Sequence, residues 1–379
     1  MKSKIITSVR LSGSGHEHQK NNYKIVSKKT LFLLFTITIL SCSSNSNSPE
    51  PVVDDFIRGA DMSFLPLIEN EGTIYKHNNT AEDAITTLKN AGCNTIRIRL
   101  WKNPSDAHSG LAEVKTLAQR VKAAGLKVWL TVHYSDTWAD PGTQTKPVAW
   151  QSQDFNTLKA SVTDYTNQIM TEINPDIIQI GNETNDGMLW PEGKLSTNES
   201  QYLQLVSAAT AAVRSKSTTT KIMLHFAGIT GSDWYFNKVK NIDYDYIGLS
   251  YYPIWHGTNL ITLQNTINNL GILYNKKVLI AETAYPFTLS WNDYTNNVVG
   301  LQSQIISTYS ATNDGQKQFL SAIKSAVKQS SKGLGFCYWG SEWVAFRGPT
   351  STNGSTWENQ ALWDFTNNSL PVMDVFNAN

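Results

Sequence analysis

From residue 57 onward the chain alternates between short apolar runs and longer stretches with a helical stripe. Eight runs read as strands: 57–63, 94–101, 127–134, 176–183, 221–227, 246–253, 277–283 and 335–342. Each is seven or eight residues long, and most are rich in Ile, Val, Leu and aromatics. Between them, 81–92, 111–125, 202–215 and 318–330 repeat apolar residues at i, i+3 and i+4, which predicts helices. Gly92 and Gly125 follow two of these stripes and mark helix ends. Eight strands alternating with helices predict an α/β fold, a (β/α)8 TIM barrel. An open doubly wound sheet would call for a Gly-rich phosphate loop after a strand, and no G-x-G-x-x-G or Walker sequence occurs. No linker interrupts 57–379, so a single catalytic domain is expected.

The N-terminus departs from that rhythm. Residues 30–41 are apolar, follow Lys24, Lys28 and Lys29, and fall well short of the roughly 20 residues that span a bilayer. Cys42 closes the run, and a Ser/Asn-rich stretch follows. The pattern resembles a bacterial lipoprotein signal. It divides the chain into a signal at 1–41, a tether at 42–54 whose Cys42 carries the lipid, and the catalytic domain at 55–379. An exported protein anchored in the cell envelope is expected.

Charged residues make up 17% of the 379-residue chain against roughly 25% in an average soluble one, while aromatics reach 11% and include 12 Trp. The formal charge is +1 with no basic run, so nucleic acid is excluded as a partner. Three scattered cysteines suit neither a disulfide framework nor a zinc site. Cys93 and Cys337 are expected as small buried residues in strands.

In a barrel enzyme the chemistry sits where strands end. Those ends carry Asp61, Arg97, Arg99, His133, Asn182, Glu183, His225, Tyr251, Tyr252, Glu282, Trp339 and Glu342. Glu183 and Glu282 end the fourth and seventh strands, nearly opposite one another in a barrel. Glycoside hydrolysis needs such a pair, one carboxyl protonated to release the leaving oxygen and one ionised.

Several segments then resemble one family. GADMSFLPLIENEG (59–72), VHYSDTWADPGTQTKP (132–147), IQIGNETNDGMLWPEG (178–193), LSYYPIWHG (249–257), AETAYPFT (281–288), YWGSEW (338–343) and TWENQALWDF (356–365) are similar to glycoside hydrolase family 53, the endo-β-1,4-galactanases. The resemblance implies a retaining enzyme with Glu183 as acid/base, Glu282 as nucleophile and β-1,4-galactan as substrate. It implies Asn182 on the substrate 2-OH, Tyr251 or Tyr252 on Glu282, Arg97 or Arg99 beside the nucleophile, and Trp339 beneath the cleaved sugar. His133 and His225 fit neutral roles around the carboxyls. Asp136, Trp138 and Asp140 are candidate subsite residues, and Trp255 and Trp343 candidate sugar platforms. Glu342 reads as structural or as part of a remote subsite.

Catalysis needs no cofactor in this reading. Bacterial members of the family can hold structural calcium after strand seven, and Asp293, Thr295 and Asn297 have the i, i+2, i+4 oxygen spacing for it. A monomer is expected. The other readings are a β-1,4-glycanase of the same clan acting on mannan, xylan or glucan, and a non-catalytic glycan-binding lipoprotein.

Overall fold

The computed structural model describes residues 55–378. The lipoprotein signal and Cys42 lie outside the described residues. In chain order the strands are β1 (Ile57–Asp61), β2 (Lys76–His77), β3 (Thr80–Ala81), β4 (Thr95–Leu100), β5 (Lys127–Val132), β6 (Ile177–Ile180), β7 (Lys221–Ala227), β8 (Tyr246–Ser250), β9 (Lys277–Thr283) and β10 (Gly333–Tyr338). The helices are α1 (Leu65–Asn70), α2 (Ala84–Ala91), α3 (Leu111–Ala123), α4 (Phe155–Glu172), α5 (Leu195–Lys216), α6 (Ser232–Val239), α7 (Pro253–His256), α8 (Leu260–Leu273) and α9 (Asn313–Lys328). β1 and β4 to β10 close into one eight-stranded parallel barrel, with β2 and β3 as a separate hairpin. The eight predicted strands are the eight barrel strands. Every barrel strand is nearly buried throughout, as expected for a parallel sheet covered on its outer face by helices.

Side-chain alternation builds the interior in layers. Ile57, Trp129, Ile177, Met223, Leu279, Ala281, Leu334 and Cys337 form an apolar cluster inside the barrel, separate from the larger core between strands and helices. It plugs the lower half of the lumen. Two residues past Ile177 and Met223 come Gln179 and His225, and Asp61 of β1 and Arg97 of β4 join them, all buried and all polar. The Arg97 guanidinium rests 5.8 Å from the centroid of Trp129, at the boundary between the layers. Both cysteines of the domain are buried and free; Cys337 lies in β10, but Cys93 falls in the turn between α2 and β4 rather than in a strand.

One irregularity places a functional side chain. Along β8 and β9 the register runs Leu249 to Ile280 and then Ser250 to Glu282, so β9 carries an extra residue there. Leu279 and Ala281 both point inward, and strict alternation would send Glu282 out among the helices. The bulge at Ala281 re-aims Glu282 into the lumen.

Candidate active site

A cleft of about 370 Å³ opens at the strand ends, lined by Arg97, Arg99, His133, Trp138, Asp140, Asn182, Glu183, Tyr252, Trp255, Glu282, Trp339 and Trp343 among others. A nearest pair of oxygens from Glu183 and Glu282 lies within 4.8 Å, and a ring nitrogen of His225 falls inside the same limit. That separation belongs to the short class of carboxyl pairs, about 5–5.5 Å, and not to the wider class of about 6.5–9.5 Å that accommodates a water between them.

The two carboxyls are held differently. Glu282 Oε1 accepts from Arg97 Nη2 at 2.7 Å, and its Oε2 accepts from the Tyr252 hydroxyl at 3.0 Å. Arg97 also donates to Asp61 Oδ2 at 2.7 Å and to Asn182 Oδ1 at 3.1 Å. Burial raises the Glu282 pKa, while Arg97 and Tyr252 pull it back. Glu183 has no such cation: its Oε1 accepts one hydrogen bond, from Ser250 Oγ at 2.6 Å. Burial, and then the neighbouring Glu282 charge, push Glu183 up to about 8. Of the pair, Glu282 therefore ionises first, and Glu183 keeps its proton at neutral pH.

Local backbone serves this arrangement. β6 ends in a tight turn where Gly181 has φ +75° and Glu183 φ +46°. A Cβ on Gly181 would come within 2.4 Å of Thr184 Cγ2, so only glycine fits. His225 Nε2 meets Ser250 Oγ at 2.9 Å, and the Ser250 hydroxyl donates a hydrogen bond to Glu183 Oε1. Gln179 Nε2 and the Glu183 N–H both point at His225 Nδ1. These partners fix the neutral Nε2–H tautomer. Burial, and then Arg97, hold the His225 pKa well below normal. Both oxygens of Glu282 and both ring nitrogens of His225 are thus engaged by protein partners.

Five indoles wall the cleft. Trp339 meets Trp357 edge-on at 4.7 Å and Trp343 at 5.8 Å, and Trp255 lies over Trp357 at 6.4 Å. Trp343 is itself backed by Phe64, stacked at 4.0 Å. Gly340, with φ +63°, makes room for this wall, since a Cβ there would sit 2.7 Å from Trp357 Cδ1. Trp138 adjoins them, its ring centroid 6.2 Å from that of Trp339. Beneath it, Arg99 is enclosed by Phe64, Trp101 and Trp138 at 4.5, 4.3 and 4.1 Å from the ring centroids. Arg99 has no carboxylate partner; it donates to Ser109 Oγ and meets His108, and burial lowers its pKa to about 10.

Some sequence candidates lie elsewhere. Tyr251 is fully buried, and its hydroxyl goes to the Gly257 carbonyl, so Tyr252 alone serves Glu282. Of the two arginines only Arg97 touches Glu282. His225 lies beneath the cleft and acts on Glu183 through Ser250. Asp136 braces loops, accepting from the Asn103 and Val148 N–H groups. Glu342 is fully buried and accepts from the Phe64 N–H. His133 does line the cleft, kept neutral by burial and by Arg99, with Nδ1 accepting from the Ala139 N–H. Sequence reasoning missed Trp357, Ser250 and Gln179. Ser250 is the last residue of β8 and points inward, so its position was the available signal.

The calcium candidates cluster in the loop after β9. Asp293 Oδ2, Asn297 Oδ1 and Glu358 Oε2 are buried without hydrogen-bond partners, and the hydroxyl of Thr295 lies beside Gly354. Glu358, absent from the sequence candidates, has its pKa raised by burial and by the Asp293 charge, against hydrogen bonds that lower it. Two buried carboxylates without a cation, among oxygen donors, fit a hard divalent ion.

A closed parallel barrel whose strand ends pair two carboxyls over a tryptophan-walled cleft defines a glycoside hydrolase. The chain belongs to glycosyl hydrolase family 53, which it matches over residues 57–376. It is 35% identical to an arabinogalactan endo-beta-1,4-galactanase of Cellvibrio japonicus, covering 92% of this chain and 97% of that protein. Identity to arabinogalactan endo-beta-1,4-galactanase A of Aspergillus niger is 36%, over 76% and 85% of the two chains. The solved GH53 catalytic domain of Ignisphaera aggregans superposes with a TM-score of 0.81 at 35% identity, covering 87% of this chain and 97% of that one.

Proposed function

We propose that the protein is a retaining endo-β-1,4-galactanase, in which Glu183 is the acid/base and Glu282 the nucleophile. The observation that carries the reading is the short carboxyl pair with unequal environments. Arg97 and Tyr252 favour the ionised form of Glu282, while Glu183, with a raised pKa and no such cation, stays protonated. In the first step Glu282 attacks the anomeric carbon, the glycosidic C–O bond breaks, and the Glu183 proton goes to the departing oxygen. In the second, Glu183 takes a proton from water, the resulting hydroxide displaces Glu282, and the enzyme returns to its starting state. Asn182, fixed by Arg97, Gln179 and the Ala139 carbonyl, presents its amide toward the 2-OH of the sugar.

The relatives' names and the indole wall both favour galactan. A β-galactose ring with its axial 4-OH has one face of C–H groups that stacks on indole. Trp138, Trp255, Trp339, Trp343 and Trp357 supply such faces, and Asp140 offers a hydrogen-bond acceptor at the rim. The test is a parallel digest of β-1,4-galactan, mannan, xylan and glucan with product sizing. Internal cleavage of galactan alone supports the reading, and preference for another glycan overturns it.

Two further parts belong to the same proposal. Calcium, when bound, would tie the loop after β9 to the segment around Glu358 through Asp293, Asn297 and Glu358, with Thr295 beside them. Cys42 would carry a lipid that anchors the exported enzyme in the cell envelope, which palmitate labelling of the full chain and its Cys42→Ser variant tests.

A further inference from the structure

The two ends of the barrel carry opposite charge. Lys127, Lys221 and Lys277 open β5, β7 and β9, and all three side chains are exposed. They line one concavity of about 410 Å³ around the strand starts, together with Asp55 and Asp176. Among the described residues none of the three pairs with a carboxylate. Asp176 spends an oxygen on the Val128 N–H. Around this rim Lys89, Lys216 and Lys328 lie in the last turns of α2, α5 and α9, where they answer the helix dipoles. Strand starts present no such dipole, so the charges of Lys127, Lys221 and Lys277 are surplus. At the opposite end, Asp106, Asp136, Asp140, Asp186, Asp233 and Asp314 occupy the loops and first helical turns that follow strands.

We infer that the strand-start end of the barrel docks on an anionic lipid surface and turns the cleft away from it. The chain's own course favours this occupant. The domain begins at Asp55, in the wall of the lysine-lined concavity. Twelve residues separate it from Cys42, a span of at most about 47 Å. The inference rests on the lipid-anchored reading for its setting, because a lipid at Cys42 would hold this end near headgroups. Attraction between exposed charges acts within about 8 Å at physiological salt, so the three lysines must meet the headgroups directly. The acidic end, repelled by the same surface, faces the soluble polymer.

The test uses the chain from Ser43 onward, since the closed barrel and its core lie within 57–376. It therefore stands apart from whether Cys42 is lipidated. Co-sedimentation is measured with vesicles of 30% phosphatidylglycerol in phosphatidylcholine, with pure phosphatidylcholine vesicles, and with soluble polygalacturonate. The expected result is binding to the anionic vesicles that falls at least tenfold in 0.5 M salt. The triple variant Lys127→Glu, Lys221→Glu, Lys277→Glu should show a similar loss, with unchanged galactan hydrolysis as its control for folding. A triple Lys→Gln variant should fall between the two. Equal binding by the variants, equal binding to neutral vesicles, no vesicle binding, or capture by polygalacturonate alone would each overturn the inference.

Discussion

At the residue scale, function depends on how two identical side chains are made unequal. Glu282 has a cation and a phenol; Glu183 has a serine and a low-dielectric wall. Galactan hydrolysis should follow a bell-shaped pH profile. Its acid limb reflects protonation of Glu282, and its alkaline limb, near pH 8, reflects loss of the Glu183 proton. Tyr252→Phe should shift the acid limb upward, because Glu282 loses a donor that favours its ionised form. Titration of initial rates checks both. Replacing Glu183 by Gln should lower kcat about 10²- to 10⁴-fold while leaving galactan affinity nearly unchanged. Arg99→Leu addresses a different question. It removes the cation from three rings, each cation–π contact being worth about 0.5–2 kcal/mol, and frees Trp138. KM should rise several-fold with kcat little altered, and the tryptophan emission should shift. A loss confined to kcat would show that Arg99 serves the chemistry and not the platform.

At the element scale, the strands were legible because parallel barrel strands are continuous apolar runs. The helices were less so. α4 went unread because Leu158, Val162, Tyr165 and Ile169 form its stripe amid Thr, Ser and Asn, which favour helices poorly. α8 likewise mixes its apolar positions with Asn and Thr. In the site, the motif residues Glu183, Glu282 and Arg97 could be found by position at strand ends. Trp357 could not: it enters from a loop nearly twenty residues past β10, with no period to betray it. The bulge that aims Glu282 inward is equally silent in sequence, since a period of two assigns that residue to the outer face. Two element-level outcomes follow. Gly340→Ala should displace Trp357 and weaken galactan binding, as read by KM, without shifting the pH profile. Exhaustive chelation should lower Tm by about 5 °C, the order expected when a ligand near a hundred times its Kd is withdrawn from a domain of this size. Restoring calcium should reverse the shift, and an unchanged Tm would remove the ion from the account.

At the scale of the whole molecule, the balance of few charges and many aromatics acquires a meaning. A neutral polymer gives a strong net charge nothing to attract, whereas indoles stack on its sugar faces. Yet near-neutrality conceals a division, with lysines at the strand starts and aspartates at the strand ends. Residues 1–54 contribute seven basic and three acidic residues to the formal +1, so the domain from residue 55 onward sums to −3. The cleft at the strand ends is lined by Trp138, Trp255, Trp339, Trp343 and Trp357. Internal cleavage of long galactan, with a rapid fall in viscosity before reducing ends accumulate, is the expected course. The most direct test of the central claim is the configuration of the first product, followed by proton NMR during galactan hydrolysis. The account predicts that the β-anomer appears first and then equilibrates with the α form, because Glu282 inverts the centre and water inverts it again. The α-anomer appearing first would contradict it.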